Sequence, residues 1–245
     1  MRLLVVNPNT SVEMTHDIAE EARRYAREDT EIEAISPSWG PRSIEGHYEE
    51  ELAAVATLET IRERASEFDG VIIACYGDPG LFAAREISPV PVVGIAEASM
   101  LLACTVGHRF SIVTVLPRVR PMLEDMVRLH GLEARCASIR TTPLSVLDCE
   151  RDPAAAEREI VIAAKAAVAD DGAEAICLGC AGMGPLDKSV QAQVGVPVLD
   201  GVACAVKLVE GLVDYGLTTS RVAGFKEPEP KEFVNYPPTD AAVAS

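Results

Sequence analysis

Two stretches of this sequence decide its fold: Asp69-Gly-Val-Ile-Ile-Ala-Cys-Tyr-Gly-Asp-Pro-Gly80 and Glu174-Ala-Ile-Cys-Leu-Gly-Cys-Ala-Gly-Met183. In each stretch a continuous apolar run, typical of a strand that is covered on both faces, leads to a cysteine. These cysteines are Cys75 and Cys180, and glycine stands two residues after each of them. The matching order of residues indicates that the two stretches occupy equivalent positions in two related units.

Neighbouring segments repeat at nearly the same spacing, which indicates an internal duplication. The two cysteines are 180 − 75 = 105 positions apart. Two copies of one unit, folded about a pseudo-twofold axis, would bring the cysteines face to face across a cleft. Thiols on opposite sides of one substrate suit a reaction that removes a proton on one side and returns it on the other. The other repeated segments are Leu4-Val-Val-Asn-Pro-Asn9 with Ile112-Val-Thr-Val-Leu-Pro117, and Val90-Pro-Val-Val-Gly94 with Val196-Pro-Val-Leu-Asp200.

Along the whole chain, short apolar runs alternate with longer amphipathic stretches of helical periodicity. This alternation predicts βαβ units and parallel sheets. We therefore predict an α/β fold of two pseudo-symmetric lobes, each a parallel sheet flanked by helices, with the active site in the cleft between them. The first lobe is expected to comprise residues 1–104 and 200–220, the second lobe residues 105–199, and a polar, proline-rich C-terminal tail residues 221–245.

The composition limits the classes of partner. The formal net charge of −16 argues against nucleic acid or an anionic membrane as a partner, because both are bound by basic surfaces. No apolar run is long enough to span a bilayer or to act as a signal peptide. Seven cysteines, an odd number without disulfide-like spacing, favour the reducing cytoplasm. No nucleotide-binding loop or cluster of metal ligands is recognisable, so we expect neither a cofactor nor a metal.

A cysteine at the end of a strand is often only a small buried side chain, but the duplication favours a functional pair. Cys177-Leu-Gly-Cys180 also has the spacing of redox and zinc motifs. Residues three apart on a strand point to opposite faces, which would separate these two sulfurs. The sequence has no second motif of this kind and no spaced histidine pair. Acid–base chemistry by Cys75 and Cys180 is therefore the favoured interpretation.

Several segments together form a recognisable pattern: Asn7-Pro-Asn-Thr10, Ser43-Ile-Glu-Gly46, Ala74-Cys-Tyr-Gly-Asp-Pro-Gly80, Gly94-Ile-Ala-Glu-Ala98, Phe110-Ser-Ile-Val-Thr-Val-Leu-Pro-Arg118 and Leu178-Gly-Cys-Ala-Gly-Met183. This combination resembles the hydantoin racemases of the aspartate/glutamate racemase superfamily, and allantoin racemases share the pattern. The resemblance extends over nearly the whole chain, to about Arg221. Each motif alone is weak, but the combination is specific.

The resemblance implies a cofactor-independent, homo-oligomeric isomerase that racemises 5-substituted hydantoins, with allantoin as one candidate substrate. It implies that Cys75 and Cys180 are the acid and base that handle the proton at C5. The residues expected to bind the substrate are Asn9, Thr10, Ile44, Tyr76, Gly77, Thr114, Pro117, Ala181 and Gly182.

Other reactions of the superfamily stay open as alternatives. Amino-acid racemases follow their cysteines with polar residues that bind a carboxylate and an ammonium group. Here Tyr76-Gly-Asp78 and Ala181-Gly-Met183 follow instead, which fits a neutral ring better than a zwitterion. Amino-acid racemisation, maleate isomerisation and non-catalytic ligand binding by a two-lobed receptor remain as alternatives. The preferred 5-substituent cannot be deduced from these motifs.

The chemistry requires that one cysteine be a thiolate while the other is a thiol. Helix N-termini and backbone amides are expected to lower the thiol pKa values. Backbone N–H groups of residues 75–77 and 180–182 are expected to stabilise the enolate that forms when C5 loses its proton.

Overall fold

The computed structural model describes residues 1–234, which form two four-stranded sheets. The strands of the first sheet are β1 (Arg2–Val6), β2 (Glu31–Ile35), β3 (Gly70–Ile73) and β4 (Val92–Gly94). Those of the second sheet are β5 (Phe110–Thr114), β6 (Cys136–Thr141), β7 (Ala175–Leu178) and β8 (Val198–Leu199). The helices are α1 (Val12–Tyr25), α2 (His47–Arg64), α3 (Leu81–Ile87), α4 (Ile95–Val106), α5 (Arg120–Leu129), α6 (Val146–Arg151), α7 (Pro153–Asp171), α8 (Asp187–Val194) and α9 (Gly201–Asp214).

The two sheets follow the same path. Their strand orders are β2-β1-β3-β4 and β6-β5-β7-β8, and every strand pair is parallel. The predicted α/β fold with two lobes is therefore confirmed. Cys75 and Cys180 follow β3 and β7, which hold the same place in their respective sheets. Since all strands of a sheet run the same way, the loops that follow them gather at one edge, where α/β proteins bind ligands.

The apolar strand runs are continuous because both faces of each sheet are covered. On the outer face of the first sheet, Val71 and Ile73 pack in a cluster with Ile61 and Phe68 from the α2 region. The inner face belongs to a much larger cluster that continues into the second sheet through Phe110 and its neighbours. A single hydrophobic core thus joins the two lobes, which limits how freely they move relative to each other.

Two helices are exchanged between the lobes. Helix α4, which follows the last strand of the first sheet, packs against β5 and β7 of the second sheet. Helix α9, which follows the last strand of the second sheet, packs against β3 and β4 of the first. The two helices also contact each other along their length. Each sheet is therefore covered by the final helix of the other unit, and the predicted residue boundaries of the lobes stay a prediction.

Helix α6 is a short helix that begins just after Ser145. Ser145 begins it with a capping box: the Ser145 hydroxyl accepts a hydrogen bond from the Asp148 N–H, and the Asp148 carboxylate accepts one from the Ser145 N–H. A serine followed three residues later by an acidic residue is a recognised start signal. The helix is only 6 residues long, which is too short to show a clear apolar periodicity.

The chain after α9 returns to the first lobe. The Arg221 guanidinium donates hydrogen bonds to the carbonyl oxygens of Arg85 and Glu86 in α3. The ring of Phe225 lies 6.0 Å from that of Phe82, centroid to centroid. Within the predicted tail, residues 221–225 therefore contact α3, and residues 235–245 lie outside the described residues. Among residues 1–234, no helix has both the length and the apolar character needed to cross a membrane.

Candidate active site

A cavity lies between the carboxyl ends of the two sheets, and both Cys75 and Cys180 line it. The space between its walls is about 530 Å³, counting the open space at its mouth. Loops that follow β1, β3, β5 and β7 all contribute to its wall. The lining residues are Asn9, Met14, Ile44, Ala74, Cys75, Tyr76, Gly77, Thr114, Val115, Val119, Met122, Leu123, Val146, Gly179, Cys180 and Ala181.

The two cysteines have equivalent backbone surroundings. The N–H of Gly77 donates a hydrogen bond to the Cys75 sulfur, and the N–H of Gly182 donates one to the Cys180 sulfur. Each residue is half-buried, and the two thiols interact electrostatically. The glycine two positions after each cysteine therefore holds a thiol that faces the shared cavity.

Burial raises the pKa of Cys75 to about 12 and that of Cys180 to about 11. The glycine N–H groups lower both pKa values, but the loss of hydration on burial is the larger effect. Carboxylates add to it, with Glu50 near Cys75 and Glu45 near Cys180. The expectation of lowered thiol pKa values is therefore not met in the ligand-free site. Values of the pKa in this range correspond to protonated thiols at neutral pH.

A buried carboxylate holds the loop after Cys75 against the start of α4. Asp78 accepts hydrogen bonds from the N–H groups of Ala96, at 3.0 Å, and Glu97, at 2.8 Å. Gly94 leaves the room for this contact, because a Cβ there would lie 2.2 Å from the Asp78 carboxyl carbon. Asp78 adopts a left-handed conformation (φ 47°), which aspartate tolerates better than most residues other than glycine.

In the second lobe the same arrangement is built from the reciprocal positions. Asp200, the counterpart of Gly94 in the repeat, accepts hydrogen bonds from the N–H groups of Val202 and Ala203 at the start of α9. Gly184 faces it, and a Cβ there would lie 2.9 Å from Asp200 Oδ1. Both lobes therefore place a carboxylate between the cysteine loop and the exchanged helix.

Three predicted substrate-binding residues that line the cavity also support its walls. The Thr114 hydroxyl donates to the Gly179 carbonyl oxygen at 2.7 Å and so fixes the residue before Cys180. The Tyr76 hydroxyl bonds to the Ser99 hydroxyl at 2.8 Å inside the core. The Asn9 amide nitrogen contacts the Met14 sulfur at 3.1 Å. Because a thioether is a weak acceptor, this amide is available to a better one, such as a ring carbonyl.

The structure brings together six of the nine predicted substrate-binding residues in the cavity wall: Asn9, Ile44, Tyr76, Gly77, Thr114 and Ala181. The other three, Thr10, Pro117 and Gly182, are not among the lining residues. The Thr10 hydroxyl donates to the Pro41 carbonyl oxygen at 3.3 Å, and Pro117 begins a short 3-10 turn. Gly182 acts through its N–H on Cys180. Contact of any of these residues with a ligand stays a prediction.

The apolar wall of the cavity, which comes mainly from the second lobe, could not be predicted from the sequence. Val115, Val119, Met122, Leu123 and Val146 line it together. The apolar spacing of α5 reveals that this helix has a buried face, but periodicity alone does not show which turn meets a cavity. Glu50, near Cys75, was also missed, because acidic residues in a first helical turn usually face solvent.

Within residues 1–234, no group of three or more histidine, cysteine, aspartate or glutamate side chains is arranged to hold a metal ion. The two thiols that line the cavity can exchange protons with a small molecule bound there.

Known proteins resemble this chain over nearly its full length. The family model described as Asp/Glu/Hydantoin racemase matches residues 3–209. A hydantoin racemase from Pseudomonas sp. (strain NS671) is 50% identical over 96% of this chain and 94% of its own length. One from Paenarthrobacter aurescens is 42% identical over 96% of this chain and its whole length. The crystal structure of an allantoin racemase from Pseudomonas fluorescens superposes with a TM-score of 0.93 at 45% identity, covering 96% of this chain and all of that one. The chain therefore belongs to the Asp/Glu/hydantoin racemase family.

Proposed function

We propose that this protein racemises 5-substituted hydantoins with Cys75 and Cys180 as the acid and base. The observation that carries the proposal is the placement of two equivalent thiols, each held by a glycine N–H, on one small cavity. Membership of the family and the similarity to hydantoin and allantoin racemases support the same reaction.

The reaction moves one proton across the ring. The C5–H bond lies next to the C4 carbonyl, so its electron pair becomes an enolate when a thiolate on one face takes the proton. The thiol on the opposite face then gives its proton to C5, and the enolate returns to a carbonyl. After this step the two cysteines have exchanged their protonation states, so the enzyme is ready for the other enantiomer.

Only one thiolate is expected at a time in this site. A second negative charge in the same buried space would be repelled by the first, and burial already disfavours a single one. The Asn9 amide and the backbone N–H groups around Gly77 are the donors we assign to the developing oxyanion. The enolate oxygen carries more negative charge than the carbonyl oxygen, so these donors stabilise the enolate more than the carbonyl. Because they are already in place, they do not have to turn during the reaction.

An apolar 5-substituent fits the site better than a ureido group. The wall built by Val119, Met122, Leu123 and Val146 offers no hydrogen-bonding side-chain groups. The Thr114 hydroxyl already donates to Gly179. A buried ureido group would leave polar atoms unpaired, which costs about 1–3 kcal/mol for each group. We therefore propose alkyl and arylalkyl hydantoins as preferred substrates, with allantoin as a poorer one.

We further propose that the enzyme works without a cofactor, in the cytoplasm, as a homo-oligomer. The seven cysteines are all free, which suits a reducing compartment. Exposed apolar side chains that a subunit interface would bury include Val106, Leu129 and Ile162. Activity that persists after dialysis against EDTA tests the absence of a cofactor. Sedimentation of the purified protein tests the homo-oligomeric state.

Polarimetry on enantiopure hydantoins tests the proposed function. We expect the optical rotation of each enantiomer of 5-isobutylhydantoin to decay to zero, with one deuterium incorporated at C5 in D₂O. Free glutamate and aspartate should remain optically active, because no charged clamp follows either cysteine. Binding of hydantoins without decay of rotation, or racemisation of glutamate at a comparable rate, contradicts the proposal.

A further inference from the structure

A half-buried carboxylate, Glu50, lies beside Cys75 and has no part in the mechanism described above. Glu50 is in the first turns of α2, and its side chain is 19% exposed. Its Oε1 lies against Gly77, where a Cβ would be only 2.2 Å from it. Gly77 is also the residue whose N–H bonds to the Cys75 sulfur. The carboxylate and the thiol thus share one neighbour, and they interact electrostatically.

Glu50 also lines a second cavity, which shares Gly77 and Met122 with the cavity that holds the thiols. This second cavity encloses about 960 Å³, including the open space at its mouth. The carboxylate therefore contacts Gly77, which holds the thiol, and also borders an open cavity.

The other carboxylates near the thiols are already engaged. Both oxygens of Asp78 accept backbone N–H groups of α4. Glu45, near Cys180, accepts the Val146 N–H at 2.9 Å. Glu50 is instead placed by packing against Gly77. The charged or titratable groups around it are His47, whose Nδ1 is 3.9 Å from its Oε2, together with Glu51, Cys75, and Asp78, Asp125 and His130 in the wall of the second cavity.

We propose that Glu50 is a positioning residue that carries protons between Cys75 and solvent. The Cys75 S–H bond breaks, sulfur keeps the electron pair as a thiolate, and the proton bonds to a Glu50 carboxylate oxygen. The carboxylic acid keeps this proton while Cys75 is a thiolate. Once Cys75 has taken the proton from C5, Glu50 releases its own proton to water in the second cavity. The proposal rests on the proposed function, because it assigns Glu50 a part in the thiol chemistry of this site.

Proton transfer from Cys75 to Glu50 is favourable because it moves a negative charge within the site and does not add a second one. A thiolate beside an ionised Glu50 would put two negative charges in one poorly hydrated space, whereas a thiolate beside a neutral carboxyl group puts one there. Burial raises the pKa of Glu50 to about 7, so this group exchanges protons with water near neutral pH. Cys180 has no matching arrangement among the described residues, since Glu45 is held by its hydrogen bond.

The pH dependence of Cys75 alkylation tests the relay without any substrate. The rate of carbamidomethylation by iodoacetamide would be measured at Cys75 and Cys180 separately by mass spectrometry, from about pH 6 to about pH 9. In the wild type we expect the Cys75 rate to flatten above about pH 7, because ionisation of Glu50 then opposes ionisation of the thiol. In Glu50→Gln the Cys75 rate should rise about tenfold per pH unit through the same range. The Cys180 profile should be the same in both proteins.

Glu51→Gln is the matched control, since Glu51 is the next residue in the chain and is exposed. This substitution removes the same charge as Glu50→Gln. Its Cys75 profile should flatten as in the wild type. A Cys75 profile that still flattens in Glu50→Gln, or that changes equally in Glu51→Gln, overturns the relay.

Kinetics supply the second measurement. Glu50→Gln should lower kcat/KM for racemisation by about tenfold or more, mainly through kcat and equally for both enantiomers, because the two enantiomers have the same free energy in solution. Glu50→Asp should restore part of the loss. Equal turnover numbers in Glu50→Gln and the wild type also overturn the relay. If the wild type racemises no hydantoin, the proposed function fails, while the alkylation profiles still decide whether Glu50 and Cys75 exchange protons.

Discussion

The loop after β3 and the loop after β7 hold their cysteines in the same way, yet their surroundings differ. In both loops a glycine N–H bonds to the sulfur. Beside Gly77, the Glu50 carboxylate fills the space where a side chain would be, whereas the nearest atom to a Cβ on Gly182 would be the Met14 Cε at 3.8 Å. The first loop therefore meets a titratable group, and the second meets a methyl group.

This difference indicates how two copies of one backbone come to have different surroundings at their equivalent cysteines. The repeated backbone supplies two equivalent thiols, because a racemase has to treat both faces of its substrate alike. The side chains around them are free to diverge. The first lobe supplies Glu50 and the Asn9 amide, and the second lobe supplies most of the apolar wall. In the proposed mechanism, proton supply and substituent binding therefore belong to different lobes.

The largest expected loss of activity follows substitution of Cys75 or Cys180. Cys75→Ser and Cys180→Ser should each lower racemisation by about 10²- to 10⁴-fold, because a serine hydroxyl is too weak an acid to replace a thiol. Each variant should still exchange the C5 hydrogen of one enantiomer with D₂O, and the enantiomer should differ between the two variants. Proton NMR of the C5 signal measures this exchange.

Cys104→Ser is the control, since Cys104 lies on α4 and does not line the cavity. It should keep wild-type activity. If Cys75→Ser and Cys180→Ser exchanged the same enantiomer, the assignment of the two thiols to opposite faces would be wrong.

The two glycines give a matched test of the asymmetry between the loops. Gly77→Ala would place a Cβ 2.2 Å from Glu50 Oε1 and force the carboxylate away, so we expect kcat/KM to fall on the order of tenfold to a hundredfold. Gly182→Ala meets only Met14 Cε, at 3.8 Å, and should change kcat/KM by less than about threefold. Steady-state polarimetry compares the two, and similar losses in both variants contradict the asymmetry.

The capping carboxylates should behave alike in the two lobes. Burial raises the pKa of Asp78 and of Asp200 to about 7, from an ordinary value of 3.8. Between these pH values the folded state binds a proton that the unfolded state has released, so the free energy of unfolding falls as pH rises through this range. Each carboxyl group should contribute on the order of a few kcal/mol to the fall, since one pKa unit corresponds to about 1.4 kcal/mol.

Asp78→Asn and Asp200→Asn separate this effect from the rest of the protein. Each variant loses part of a helix cap, which should destabilise it by about 1 kcal/mol at about pH 5. At about pH 8 the deficit should disappear or reverse, because the amide carries no buried charge. Urea unfolding at the two pH values measures the difference. A deficit that grows between pH 5 and pH 8 shows that the carboxylates are ionised and stabilising instead.

The smallest expected effect concerns the substituent. Val146→Thr, in the second lobe, puts a hydroxyl group into the apolar wall and should raise the ratio of kcat/KM for allantoin to that for 5-isobutylhydantoin by about three- to tenfold. Ile44→Thr, in the first lobe, should change this ratio less. Val106→Thr is the control at a position that is 54% exposed on α4. A larger change in Ile44→Thr than in Val146→Thr would place the substituent against the first lobe.

The sequence was sufficient for the fold and for the two thiols because both repeat. The alternation of apolar runs with amphipathic stretches predicted the parallel sheets, since strands covered on both faces leave a continuous apolar signal. The pairing of Cys75 with Cys180 followed from their equivalent places in the repeat, which the strand orders bear out.

The features that the sequence did not predict are those in which the two copies differ. Glu50 looks like any acidic residue of a first helical turn until Gly77 is placed against it. The direction of the thiol pKa shifts depends on burial, which motifs do not measure. The exchange of Gly94 and Asp200 is visible in the alignment of the halves, but its meaning requires the contacts with Asp78 and Gly184.

Helices α4 and α9 are exchanged between the two sheets. The same arrangement is found in domain-swapped dimers, in which each copy completes its fold with a segment of the other. Seen in this way, the chain is a swapped dimer whose two copies have been tethered. The tether, residues 107–109 between α4 and β5, then contributes little to cohesion. A chain cut there should remain a complex of two fragments, whereas neither fragment should fold when expressed alone. A hinge that opened the cleft by parting the lobes would expose apolar surface on both, so ligands must enter through the loops at the rim.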